Sequence, residues 1–414
     1  MNNFDKIIGY EPIKKELLQV CDMIKNREIY ANLGAKLPSG VLLYGKPGLG
    51  KSLMAKCFIE ECNLNTFTVR KSKSENFVEY ITETFNKAKE NAPALIFLDD
   101  MDKFANEDDD HSDAEEYVAV QSGIDSVKGF DVFVIATVND IKKLPDSLKR
   151  AGRFDKCIEF YNPTFSENVR IIKHYLENKN VTKNINVDDI AKMLCSSSCA
   201  ELETLLNEAA IIAGYKRKSF IEIEDIVESV LKVEYGSAGS YTKRSIEELK
   251  HTAYHEAGHL LMCEVLYPES VGLASIRTKG WGRLAGLVRQ YKESKFEKHH
   301  ILICLAGKAS TELVYGSCGS GCELDIRKAY ESIETSALEG GYFGLGTVSN
   351  QYYNISESFM SKIEVITQTE LERCLFEAKK IIADNRDTLD KIASALLEKE
   401  TLLASDIKKL MRSA

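Results

Sequence analysis

The run Gly45–Ser52 (GKPGLGKS) constrains the fold more than any other stretch of this sequence. It fits the spacing G-x-x-x-x-G-K-[ST], in which backbone N–H groups cradle phosphates while the lysine and hydroxyl serve phosphate and Mg²⁺. Such a loop works between a buried strand and a helix N-terminus, where unpaired N–H groups and the helix dipole favour an anion. Its flanks supply both: VLLYG (Val41–Gly45) precedes it and the helical stretch SLMAKCFIEEC follows. ALIFLDD (Ala94–Asp100) and VFVIATVND (Val132–Asp140) are further apolar runs. Such runs read as strands buried on both faces, so a doubly wound α/β sheet of parallel strands is expected. Gly45, Lys46, Pro47, Gly48, Leu49, Gly50, Lys51, Ser52 and Leu53 then face ATP and its Mg²⁺.

Acidic and basic residues at the strand ends extend this site. Asp99 closes the second apolar run and is placed to hold the Mg²⁺ shell, with Asp100 beside it to orient an attacking water. Asn139, ending the third run, is placed to position the same water. In LKRAGRFDK, Arg150 and Arg153 are candidates to neutralise charge on the γ-phosphate of an adjacent subunit, which would require a ring. Their alternative reading is surface arginines closing a helix.

A second signature lies at His255–His259 (HEAGH). Histidines four residues apart project from one helix face toward a shared metal, and Glu256 between them is placed as general base on a water. The apolar flank LLMCEVL argues that this helix packs inward. Catalytic zinc usually takes three protein ligands, so a third is needed. His251, one turn before His255, cannot join two imidazoles on one tetrahedral ion and reads as a surface or supporting residue. His299 and His300 are adjacent and point apart on a helix. The two signatures together imply nucleotide hydrolysis coupled to metal-assisted peptide hydrolysis.

A chain of 414 residues exceeds one ordinary core, so two or three domains are expected. Residues 1–160 alternate strand and helix, 161–235 carry helical periodicity alone, and 236–245 (GSAGSYTKRS) read as a linker. From 246 to 414 helices dominate, with a strand or hairpin around Val271–Gln290. The acidic stretch Asn106–Glu116 reads as a solvated loop. A net charge of −9 without a Lys/Arg cluster excludes nucleic acid as a main partner. The polar start is no signal peptide and no apolar run reaches the roughly 18–20 residues that span a bilayer, so a cytoplasmic protein is expected. The eleven cysteines are scattered without a CxxC pair and read as idle or buried thiols. Cys195 with Cys199, and Cys318 with Cys322, have a spacing compatible with metal.

On these residues the chain resembles the FtsH family of AAA+ zinc proteases along its length. FDKIIGYEPIKKELLQVCDMIKN is similar to the family's entry into its ATPase domain, which implies that backbone near Ile8 and Gly9 faces adenine. NLGAKLPSGVLLYGKPGLGKS, NAPALIFLDDMD and LPDSLKRAGRFDK resemble its nucleotide motifs, and CAELETLLNEAA its helical lid. TAYHEAGH, LAGKASTELVYG and NRDTLDKIASALLEKETL resemble landmarks of its protease domain. The resemblance implies a mostly α-helical zinc metalloprotease domain, a homohexamer acting on polypeptides, and Asp325 in SGCELDIRKA as third zinc ligand, the alternative being a helix N-terminal charge.

Three departures stand out. The family's N-terminal membrane helices have no counterpart here, which implies no direct membrane insertion. The family's water-orienting Glu is Asp100, whose reach is shorter by about 1.5 Å. The aromatic–Val–Gly element of the family's pore is replaced by SKSENFVEYI, which lacks glycine; Phe77 or Tyr80 is the candidate gripping aromatic, and both read equally as core positions on a helix.

Overall fold

In the N-terminal half, apolar runs set the order of elements. The structure, a computed structural model, describes residues 2–71, 76–105, 114–195, 197–235, 244–278, 285–291, 297–338, 340 and 357–412. Chain contacts divide it into two units, Met1–Glu177 with Ser196–Thr204, and Asn178–Cys195 with Leu205–Ala414. The first unit contains helices α1 (Glu11–Lys25), α2 (Arg27–Asn32), α3 (Lys51–Cys62), α4 (Phe77–Glu90), α5 (Glu115–Ser126) and α6 (Phe165–Glu177). Between them run strands β1 (Gly40–Tyr44), β2 (Asn65–Arg70), β3 (Ala94–Asp99), β4 (Val132–Val138) and β5 (Lys156–Glu159).

These strands form one parallel sheet in the order β2-β3-β4-β1-β5. Alternation along each strand sends side chains to opposite faces. Leu42, Ile96, Leu98, Val134 and Ala136 pack with Ile81, Phe85, Val120 and Ile124 of α4 and α5. Val41, Leu43, Leu95, Phe97 and Ile135 pack with Leu17, Val20, Met54 and Phe58 of α1 and α3. Both faces are covered, which is why the strand runs are apolar without a break. Because β3 lies next to β4 and β4 next to β1, the carboxyl ends of these strands meet at one edge, where doubly wound sheets bind ligands.

The second unit is mostly helical. It includes α7 (Val187–Met193), most of α8 (Cys199–Tyr215) and α9 (Ile223–Tyr235), followed by α10 (Ile246–Leu266), α11 (Glu297–Tyr315), α12 (Glu323–Leu338), α13 (Glu357–Asp384), α14 (Arg386–Lys399) and α15 (Ala404–Arg412). Strands β6 (Val271–Thr278), β7 (Ala285–Gln290) and β8 (Thr401–Leu403) form an antiparallel sheet with β6 in the centre. The expected hairpin is thus β6–β7. Helix α10 starts with a capping box between Ser245 and Glu248 and contributes Ala253, Ala257, Leu260, Leu261 and Met262 to the main core. At its far end the buried Glu264 carboxylate accepts three backbone N–H groups, from Glu269 at 2.7 Å and from Ser270 and Val271 at 2.9 Å each. That clamp turns the chain directly from α10 into β6. On α9, the buried Asp225 accepts from Lys218 at 2.9 Å and Lys216 at 3.1 Å, tying the turn after α8 to the start of α9.

Residues 106–113 and 236–243, most of the expected acidic loop and linker, lie outside the described residues, as do 72–75 of the expected pore segment. Of the two readings open for Phe77, the structure gives the core position. This side chain is 4% exposed, at the start of α4, with its ring edge-on to Phe104 at 5.1 Å. Tyr80 is exposed and donates its hydroxyl hydrogen to the Thr68 carbonyl at 3.0 Å. Among the described residues no helix is long and apolar enough to cross a membrane.

Candidate functional site

The phosphate loop joins β1 to α3. Gly50, at φ +87°, occupies the left-handed position just before α3, where other side chains are strained. Lys51 is buried, and its ammonium donates to the carbonyls of Gly45 (2.6 Å) and Lys46 (2.8 Å) and to Asn139 Oδ1 (2.9 Å). Burial lowers its pKa from the ordinary lysine value, while Asp102 and Asp100 oppose the shift. Ser52 Oγ donates to Asp99 Oδ1 at 2.9 Å, and Thr137 Oγ1 donates to the same oxygen at 2.8 Å. The structure therefore brings together Lys51 and Ser52 from the start of α3, Asp99 from the end of β3 and Asn139 from just after β4. Leu49 is buried, whereas Lys46, Pro47 and Leu53 are exposed.

Asp100 adopts left-handed backbone, φ 53°. Its N–H donates to Thr137 Oγ1 at 2.9 Å, and its carboxylate accepts from Lys103 at 2.8 Å and Asn139 Nδ2 at 3.3 Å. Burial pushes its pKa up, but the Lys103 contact and Asn139 hold it below the usual carboxylate value. Arg70, which sequence reasoning passed over, reaches within 3.8 Å of Asp99 and 4.0 Å of Asp100. Only the parallel register of β2 with β3, which pairs Arg70 with Asp99, reveals it. Ile8 and Gly9 precede α1; the next residue, Tyr10, donates its N–H to Glu167 of α6 at 2.7 Å, and Glu167 also accepts the Thr164 hydroxyl at 2.7 Å. Arg150 is exposed. Arg153 is anchored within its own unit, donating to the Ser147 carbonyl and forming a 2.8 Å ion pair with Asp125.

In the second unit His255, Glu256 and His259 lie on α10 and Asp325 on the first turn of α12. His255 Nε2 and His259 Nε2 are 3.1 Å apart, and Asp325 Oδ2 lies 3.2 and 3.3 Å from them. Tetrahedral zinc with ligand bonds of about 2.0–2.1 Å requires donor atoms about 3.3–3.4 Å apart, so the triangle fits that ion. Of the described residues, this trio alone converges as a metal-binding group. His259 Nδ1 lies 2.7 Å from the Ile303 carbonyl of α11, which places the proton on Nδ1 and leaves the Nε2 lone pair facing the site. Burial pulls the His255 pKa down despite Asp325. Burial also pulls on His259, but Asp325, Glu256 and the Ile303 carbonyl together raise it. Asp325, although burial acts against it, is held well below the usual carboxylate range by the two imidazoles. Complete burial pushes the Glu256 carboxyl up to about 8.

Two glycines that sequence reasoning passed over shape this centre. A Cβ on Gly307 of α11 would lie 2.5 Å from both His255 Cε1 and His259 Nε2. A Cβ on Gly286 of β7 would lie 2.3 Å from Glu256 Oε1. The first lets α11 cross α10 against the imidazole pair; the second lets a strand backbone run over the carboxylate. His251 instead stacks on Tyr315 (5.3 Å), and His299 Nδ1 lies 2.8 Å from the Tyr267 hydroxyl.

Comparison with known proteins matches a family model to each part of the chain. Residues 41–162 match the ATPase family associated with various cellular activities (AAA), and residues 243–410 match peptidase family M41. The chain is 30% identical to ATP-dependent zinc metalloprotease FtsH 2 of Phytoplasma mali (strain AT) over 99% of its length and 63% of that relative. It is also 30% identical to FtsH 2 of Thermoanaerobacter sp. (strain X514), covering 98% of this chain and 82% of the relative. The FtsH of Bacillus subtilis (strain 168) gives 30% over 99% and 69%. Against Phytoplasma mali and Ureaplasma parvum the chain spans 63% and 60% of the relative. With an α/β nucleotide unit, a helical unit carrying the convergent His–His–Asp triangle, and relatives aligned through both, the chain belongs to the FtsH family of ATP-dependent zinc metalloproteases.

Proposed function

We propose that this chain is an ATP-dependent zinc endopeptidase that degrades unfolded or tagged polypeptides as a homohexameric ring. The observation that carries the reading is the triangle of His255, His259 and Asp325 donor atoms with the Glu256 carboxyl buried beside it. Zinc, when bound there, supplies electrophilic polarisation to the scissile carbonyl and the attacking water. Glu256 takes the water's proton and passes it to the leaving amine. His255, His259 and Asp325 would hold the ion, and the Ile303 carbonyl fixes the orientation of the His259 imidazole. An extended substrate adds as a strand beside β7, whose backbone at Gly286 runs over Glu256.

Lys51, Ser52 and Asp99 hold ATP and Mg²⁺, Asp100 and Asn139 orient the hydrolytic water, and Arg150 with Arg153 act on the neighbouring subunit's nucleotide. Residues 1–160, the lid 161–235 and the peptidase 246–414 are the working parts, joined to the last by 236–245. This reading places the chain in the cytoplasm. A second reading, in which ATP binding supports assembly with little unfolding, is favoured by the short Asp100 engaged by Lys103 and by the burial of Phe77. Cleavage of casein and of a short peptide, with ATP, with a non-hydrolysable analogue and without nucleotide, separates the readings. Casein cleavage only with hydrolysable ATP supports the first; equal cleavage with the analogue supports the second. No cleavage of either substrate by zinc-loaded protein refutes both.

A further inference from the structure

The segment Cys318–Cys322 (CGSGC) joins α11 to α12 and sits directly behind the metal triangle. Cys322 is buried, and its sulfur lies 3.8 Å from His255 Nδ1, the ring nitrogen that faces away from Asp325. Cys318 is partly exposed and its sulfur accepts from the Lys308 ammonium at 3.4 Å. Cys318 and Cys322 stand four residues apart on this one connector. The intervening Gly319 and Gly321 leave the backbone free to adapt; Gly321 has open space around its Cβ position. One thiol is thus reachable from solvent beside a cation, and the other touches the outer edge of a zinc ligand.

We propose that Cys318 and Cys322 are a reversible oxidation site that weakens zinc binding when the two sulfurs join. The inference rests on the metallopeptidase reading for its consequence, though not for the linkage itself. With a small disulfide such as oxidised glutathione, the Cys318 sulfur attacks one glutathione sulfur. The S–S bond breaks and one glutathione thiol leaves with the Cys318 proton. The Cys322 sulfur then attacks the mixed disulfide and displaces a second glutathione thiol, which takes the Cys322 proton. Two protein thiols lose two electrons, and one glutathione disulfide gains them. The Cys322 sulfur, now bonded to Cys318, is drawn from His255 Nδ1, and α12, which carries Asp325 three residues on, is pulled at its first turn. Loss of such an outer partner costs about 10–100-fold in metal affinity.

The full zinc-loaded chain is incubated with oxidised glutathione, then with dithiothreitol, and read by peptide mapping and by competition for zinc with a chelating dye. A Cys318–Cys322 linkage accompanied by a roughly tenfold or greater loss of zinc affinity, reversed by reductant, is expected. Both effects should be absent in Cys318→Ala, which removes only the partly exposed thiol. The proposal is overturned if no such linkage forms, if it forms without a change in zinc affinity, or if Cys318→Ala loses zinc equally. A bridge only between Cys21 and Cys62, whose sulfurs are 3.3 Å apart in the first unit, also overturns it. Untreated protein that binds no zinc at all refutes the metallopeptidase reading instead, and the peptide map still decides the linkage.

Discussion

At the scale of single residues, Glu256 has the clearest division of labour from its neighbours. Its carboxyl is buried, which pushes its pKa up, while the metal-facing atoms belong to His255, His259 and Asp325. Glu256→Gln keeps the shape and removes only the proton acceptor. It should retain zinc and lose peptidase activity by a factor of about 10²–10⁴. Unchanged zinc content with undiminished turnover would remove the general-base role. The histidines and Glu256 were legible because a helix maps a four-residue spacing onto one face. Asp325 lies 66 residues from His259, beyond the reach of any local period, and only family resemblance pointed to it. Gly307 and Gly286 were not legible at all. A glycine within a helix or strand pattern signals local weakness; what it makes room for belongs to another element.

Elements carry the next layer. Gly307→Ala adds a good helix former to α11, so the helix itself gains about 1 kcal/mol. The new methyl nevertheless meets His255 Cε1 and His259 Nε2 at 2.5 Å and must push them off the triangle. Metal analysis should show strongly reduced zinc while far-UV circular dichroism stays unchanged; normal occupancy would mean that the α10–α11 crossing is looser than described. On α9, burial raises the Asp225 pKa, yet the Lys218 and Lys216 contacts hold it below the ordinary value. A carboxylate with a folded value below its unfolded one stabilises above about pH 4 and loses that contribution as acid protonates it. Asp225→Asn should therefore lower the urea midpoint at pH 7 by the equivalent of about 1–2 kcal/mol, with the lysines' partial exposure limiting the effect. Wild type and variant should converge in acid, and a gap that persists at pH 2.5 would show that packing, not charge, is responsible. The long apolar strands β1, β3 and β4 were readable as elements. Strand β5 has only Ile158 deeply buried and β8 is three residues long, so neither has a periodicity to detect.

For the molecule as a whole, the proposed function raises the question of how far nucleotide turnover is linked to proteolysis. Asp100 is one methylene short and already engaged by Lys103, whereas the zinc triangle has its full donor set. Asp100→Glu should raise ATP turnover more than degradation of a folded substrate, because the grip on substrate is unchanged. A parallel rise in both, measured by phosphate release and by loss of a folded fluorescent reporter, would mean that hydrolysis alone limits the machine. The clamp at Glu264 has a consequence on another timescale. Three amides that would otherwise exchange through a fraying turn are held by one buried carboxylate between the catalytic helix and the central strand of its sheet. The amides of Glu269, Ser270 and Val271 should then exchange with deuterium only as slowly as the core of α10. If so, β6 cannot peel from the catalytic helix in a small local opening, and substrate must fit an edge already in place.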